Sequence, residues 1–146
     1  MKVYLDTCSL QRPLDNKEIG RNALEAEAVL LIIAFCEAGK FEMISSEALL
    51  FETRRNTILA RREFAFEMLD KAVSFVTLDD QIRDRAEEII QRGVTALDAL
   101  HLASAERAQA NYFCTCDDKL LKKAQPICAP QMLVVSPIQL MEEFEE

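Results

Sequence analysis

Glycine, histidine and long apolar runs are all scarce in this sequence, and each scarcity excludes something. With only three glycines in 146 residues, the chain should be compact and rich in regular structure. The longest apolar stretch, Ala28 to Cys36, is closed off by Glu27 and Glu37. It falls well short of the roughly 20 residues that a bilayer-spanning helix needs. It reads as a core helix, and no membrane partner is expected. The single histidine, His101, offers little to a zinc site. The five cysteines (Cys8, Cys36, Cys114, Cys116 and Cys128) are odd in number and lack paired spacing. They read as reduced thiols that pack as small hydrophobes. The opening residues lack the basic start, apolar middle and small-residue cleavage site of a secretion signal, so a cytoplasmic protein is expected.

Net positive charge is also absent. A balance of -8 argues against a protein that coats itself in nucleic acid through bulk electrostatics. Carboxylates that await divalent cations count as bare charge in such a sum, so part of the surplus can belong to a metal site. Half of the residues are hydrophobic, and the length suits a single domain over 1–146 with a core of its own.

Along the chain, Val3 to Leu5 is a short apolar strand that ends abruptly in Asp6 and Thr7. Gln11 to Gly20 reads as a loop, and Arg21 to Ala38 as a helix stopped by Gly39. Phe41 to Ile44 is a second strand. Ser45 or Ser46 then caps a helix that begins near Glu47 and carries Glu52. Helix composition resumes from Ile58 to Ala72, and Ser74 to Leu78 is a strand. Asp79 and Asp80 open a helix that Gly93 closes. Thr95 to Asp98 has capping-box spacing ahead of a helix to about Ala110. Tyr112 to Thr115 is a strand, Asp117 and Asp118 open a helical turn ending before Pro126, Met132 to Val135 is the last strand, and Pro137 starts a terminal helix. Strands that alternate with helices imply right-handed crossovers and a three-layer α/β/α sandwich around a mostly parallel sheet. Ligands of such folds bind beyond the carboxyl ends of the strands.

Asp6 and Asp117 each follow a strand, Asp98 lies in the first turn of a helix, and Glu52 lies on a helix that follows a strand. All four acids can face one end of the sheet. Carboxylates without histidine or thiolate partners suit hard cations such as Mg2+ or Mn2+. Taken singly, Asp98 can serve as a cap, Asp117 and Asp118 as helix starters, and Glu52 as part of a solvated face. A charged Asp6 at the end of a buried strand needs partners in any reading.

Read in order, the segments YLDT, SEALLFE, TALDALHLASAE and TCDDKLL resemble the PIN-domain family of metal-dependent ribonucleases over nearly the whole chain. The run DALHLASA is the most specific. The resemblance implies a PIN-like fold in which Asp6, Glu52, Asp98 and Asp117 surround Mg2+ or Mn2+. It also places small hydroxyls at Thr7 and Thr115, where they can orient a carboxylate or a metal-bound water. Glu47 is a nearby competitor for the role of Glu52, and Asp118 an extra acid that can touch a second ion. His101, one turn after Asp98, is expected to be packed and hydrogen-bonded rather than a ligand.

Such a site would activate a water to cut an RNA phosphodiester, leaving a 5'-phosphate and a 3'-hydroxyl. Arg54, Arg55, Arg61 and Arg62 are the first candidates to meet phosphate, since on one continuous helix 54 would lie over 61 and 55 over 62. Arg12, Lys119, Lys122 and Lys123 follow. Within the family, the chain looks most like the small VapC-like toxins of toxin/antitoxin pairs. That likeness implies a homodimer and a cognate antitoxin whose segment blocks the acidic site. The apolar surface of residues 23–36 is then either all core or partly an interface. Two other readings compete. A dehalogenase-type phosphatase would want an acid where Cys8 stands. A non-cleaving PIN-like scaffold for RNA or protein would not need all four acids.

Overall fold

The computed structural model describes residues 1–144; the last two residues of the expected 1–146 domain lie outside them. Five strands, β1 (Lys2–Leu5), β2 (Glu42–Ser46), β3 (Ser74–Val76), β4 (Tyr112–Cys114) and β5 (Leu133–Val135), form one sheet in the order β3-β2-β1-β4-β5. Every pairing is parallel, with Val3 opposite both Met43 and Tyr112. Val3, Tyr4 and Leu5 are all buried, as a central parallel strand covered on both faces demands.

Among the described residues, eight α-helices connect and cover the strands: α1 (Thr7–Gln11), α2 (Gly20–Glu37), α3 (Glu47–Arg54), α4 (Leu59–Leu69), α5 (Asp80–Gln91), α6 (Ala96–Arg107), α7 (Asp118–Cys128) and α8 (Pro137–Phe144). From β1 the chain steps outward to β2 and β3, then returns past β1 to β4 and β5. Right-handed crossovers that travel in opposite directions put helices on opposite faces, which makes the three layers. Helices α2 and α8 pack together, as do α5 and α6. The direction reverses between β1 and β4, the point at which open sheets of this kind generally bind ligands beyond the strand ends.

Local chemistry sets the element ends. Ser46 caps α3 by accepting from the Leu49 N–H at 3.0 Å, and Asp79 caps α5 by accepting from Ile82 N–H at 2.8 Å. Gly39 and Gly93, with φ of +80° and +99°, end α2 and the α5 segment in the left-handed conformation that glycine tolerates.

Four expectations need correction. The expected loop over Gln11 to Gly20 is shorter than read: Asp6 caps α1 by accepting from Ser9 N–H at 3.0 Å, that helix reaches Gln11 and a 3-10 turn follows over Arg12–Leu14, so only 15–19 lack a helix. The helix carrying Glu52 breaks after Arg54 and resumes at Leu59, so Arg54 and Arg55 do not stack over Arg61 and Arg62. Thr95 makes no side-chain cap; its hydroxyl donates instead to Asp98 Oδ2 at 3.0 Å. Helix α7 runs on through Pro126 to Cys128, the proline lying in its last turn. On α2, Ala26, Val29, Ile32 and Ile33 are core, whereas Leu24, Leu30 and Leu31 are exposed.

Candidate active site

The crevice at the β1/β4 divide is built from the ends of four elements. Asp6 follows β1, and its N–H donates to Cys114 O of β4 at 3.1 Å, so the two strand ends leave the sheet together. Asp117 follows β4 and caps α7, accepting from the N–H groups of Lys119 and Leu120 at 3.0 and 3.2 Å. Glu52 projects from α3, which β2 and its Ser46 cap direct towards the same end. Asp98 lies in the first turn of α6. The four acids grade from buried Asp6 through half-buried Glu52 and Asp98 to exposed Asp117.

Hydroxyl and thiol groups tie these acids together. The Thr115 hydroxyl accepts from Asp117 N–H at 3.1 Å and lies near enough to Asp6 to lower its pKa, so it sits between two of the acids. Cys8 donates its thiol proton to Asp6 Oδ1 at 3.1 Å. A hydrogen bond with Cys116 and the neighbouring charge of Asp6 push the Cys8 thiol above its ordinary pKa, which keeps that proton in place. Glu52 Oε1 accepts from the Thr7 hydroxyl and from His101 Nε2, the latter at 2.9 Å.

The titration of the acids follows from these surroundings. Burial raises the pKa of Asp6 against the opposing hydrogen bonds from Thr115, Cys8 and Ser9. Burial also raises Asp98; the hydrogen bond from Thr95 opposes it, while the charges of Glu52 and Asp117 add to it. Three of the four acids therefore share one field. Burial would raise Glu52 too, but the bonds from His101 and Thr7 outweigh it and hold this carboxyl below its ordinary value.

Several neighbours prove to be engaged elsewhere. Glu47 accepts from Leu78 N–H at 2.8 Å, at the end of β3, and does not compete with Glu52. Asp118 is held by Arg21, whose two terminal nitrogens each lie 2.7 Å from a carboxylate oxygen. Arg61 pairs with Asp15 at 2.7 Å, and Arg12 with Asp15 and with buried Glu25 at 2.9 and 3.2 Å. Lys123 donates to Gly93 O at 2.9 Å, while Arg54, Arg55, Lys119 and Lys122 are exposed.

The donor set suits a hard divalent cation in kind, being all carboxylate oxygen, and in charge, since a cation would relieve both the burial of Asp6 and the repulsion on Asp98. Among the described residues, no three His, Cys, Asp or Glu side chains are already drawn together tightly enough to hold an ion. Sequence reasoning missed the groups behind the acids: Tyr4, Ser9, Ser46 and the Cys8 thiol. A readable signal existed for Tyr4, because a tyrosine on a central strand must find a partner for its hydroxyl.

A family model described as PIN domain matches residues 3–126. The fold is similar to that of VapBC2 from Rickettsia felis, a structure determined with a DNA fragment from its promoter. The TM-score is 0.57 at 13% identity, over 93% of this chain and 98% of that one. It is also similar to PAE2754 from Pyrobaculum aerophilum, with a TM-score of 0.54 at 16% identity, over 98% and 94% of the two chains. A search of curated proteins returns no match.

Proposed function

Since the chain belongs to the PIN-domain family, whose members are generally divalent-metal-dependent nucleases, we propose that it is a Mg2+- or Mn2+-dependent endoribonuclease and the toxin of a toxin/antitoxin pair. The observation that carries this reading is the gathering of Asp6, Glu52, Asp98 and Asp117 at one sheet end, with Asp98 responding to the charges of Glu52 and Asp117.

These four carboxylates would hold the ion. Bound there, it would supply a water acidic enough to attack phosphorus and would offset the charge on the leaving oxygen. The chain's own part is orientation. Thr7 fixes Glu52, Cys8 and the Ser9 N–H fix Asp6, and Thr115 fixes the backbone of Asp117. No Ser, Cys or His nucleophile is required, and the Cys8 proton, donated to Asp6, keeps that thiol out of the chemistry. The exposed Arg54, Arg55, Lys119 and Lys122 are the cations free to meet an RNA backbone. Leu24, Leu30 and Leu31 on α2 give apolar surface to a second copy or an antitoxin. No described helix is long and apolar enough to cross a membrane, which is compatible with work in the cytoplasm.

The test is incubation of the purified protein with a pool of structured RNAs in Mg2+, Mn2+ or chelator, beside Asp6→Asn and Asp98→Asn. Cleavage should need the metal and both acids. Cleavage that survives chelator or both substitutions would sink the mechanism, and RNA binding without any cleavage would favour the scaffold reading.

A further inference from the structure

Behind Glu52 runs a chain of buried hydrogen bonds that the proposed cleavage does not use directly. The Leu49 N–H donates to Ser46 Oγ at 3.0 Å. Ser46 Oγ lies 2.7 Å from the Tyr4 hydroxyl, which lies 2.7 Å from His101 Nδ1. His101 Nε2 then lies 2.9 Å from Glu52 Oε1. Ser46, Tyr4 and His101 are 0, 0 and 1% exposed, so their polar atoms depend on one another rather than on bulk water. The Tyr4 ring stacks on Phe113 at 5.3 Å and meets the His101 ring edge-on at 5.8 Å, which fixes both planes.

Counting protons along this chain leaves one arrangement. A carboxylate only accepts, so His101 Nε2 carries a hydrogen. If Nδ1 carried one as well, Tyr4 would have to accept it and donate to Ser46. Ser46 would then accept twice, from Tyr4 and from Leu49 N–H, and its own proton would find no acceptor among its hydrogen-bonding neighbours in a fully buried site. If Nδ1 accepts, each proton has a place: Leu49 N–H to Ser46, Ser46 to Tyr4, Tyr4 to Nδ1, and Nε2–H to Glu52. The chain then points one way, from the cap of α3 back to an acid on the same helix. Burial holds the Tyr4 phenol well above its ordinary pKa, with the charges of Asp6 and Glu52 adding to the effect, so its proton stays available.

We propose that His101 is a positioning residue, locked by Ser46 and Tyr4 in the Nε2–H tautomer so that it aims Glu52 into the acidic crevice. This rests on the reading of Glu52 as a metal-holding acid, but the tautomer itself does not. The Thr7 hydroxyl donates to the same oxygen, Oε1. Together the two donors leave Oε2 as the oxygen of Glu52 without a hydrogen bond among the described residues, available to a cation. Outer partners of this kind typically change metal affinity by about 10- to 100-fold when removed.

Because His101 is the only histidine, protein labelled with 15N-histidine gives the nitrogen signals of one ring, with no assignment needed. The expected spectrum shows an unprotonated Nδ1 and a protonated Nε2. A proton on Nδ1, or on both nitrogens, overturns the proposal. Tyr4→Phe, which keeps the ring and its packing, should mix the tautomers and weaken Mn2+ binding about tenfold, read by titration of free Mn2+. A Tyr4→Phe protein that loses thermal stability but keeps both tautomer and Mn2+ affinity shows a merely structural residue and also overturns it. Should wild-type protein bind no Mn2+ at all, the nuclease reading falls, while the nitrogen spectrum still decides the relay.

Discussion

Replacing Asp6 with asparagine should stabilise the metal-free protein and remove its stabilisation by Mn2+. The wild-type carboxylate is 5% exposed, and burial raises its pKa despite three opposing hydrogen bonds. An acid whose folded pKa lies above its unfolded value favours the fold while protonated. That contribution is complete below the unfolded value and is lost as the pH rises through the folded one. At neutral pH the ionised Asp6 therefore weighs against folding. Asparagine has the same shape and keeps an acceptor for Ser9 N–H, 3.0 Å away. The expected gain is on the order of 1 kcal/mol, or about 3 °C in Tm for a chain of this size. Metal acts in the opposite direction: Mn2+ at 100 times its Kd should stabilise the wild type by about 2.7 kcal/mol and the variant far less. Urea unfolding followed by circular dichroism, in chelator and in graded Mn2+, reads both effects. A variant less stable than wild type in chelator, or equally stabilised by Mn2+, would refute the account of Asp6 as a buried charge that a cation relieves.

Thr7→Val should lower the rate of RNA cleavage about tenfold with little change in Tm, because it removes a donor to Glu52 but no core packing; equal loss of rate and stability would argue for a structural threonine. Arg12→Ala should destabilise by about 2 kcal/mol, since it leaves 1%-exposed Glu25 with only the partly exposed Arg21 at 3.4 Å. Adding Glu25→Gln should recover part of that loss in a double-mutant cycle, whereas simple additivity would deny the coupling. Gln109 has a φ of +61°, and Gln109→Gly should raise stability by about 0.5 kcal/mol, the relief of left-handed strain slightly exceeding the added backbone entropy; a fall in Tm would show that its side chain contributes more than the strain costs.

The element order was readable because apolar runs, serine and aspartate caps, and the stops at Gly39 and Gly93 agree with one another along the chain. Asp6 stood out for a related reason: an ionisable group at the end of a buried strand conflicts with its surroundings unless it has partners. What escaped the sequence was mostly a matter of hydrogen-bond choice. Thr95 has the spacing of a cap, yet its hydroxyl serves Asp98. Asp6 reads as a strand terminus, yet it also starts α1 by accepting from Ser9 N–H. The break between Arg54 and Leu59 lies in a stretch whose composition alone permits a continuous helix. The link from His101 to Glu52 joins residues on different helices through a tertiary contact that no local spacing encodes.

The central place of β1 governs when during synthesis the crevice can exist. A nascent chain carries Asp6 from its first residues and gains β2 at residues 42–46, but the other neighbour of β1 is not made until Tyr112–Cys114. Until β4 emerges from the ribosome, Thr115 and Asp117 are missing and the wall opposite Asp6 is open. Pairings so distant along the chain also make the last closure slow compared with the local helices. Strand order alone thus delays the meeting of Asp6 with Asp117 until residues 112–117 have been made.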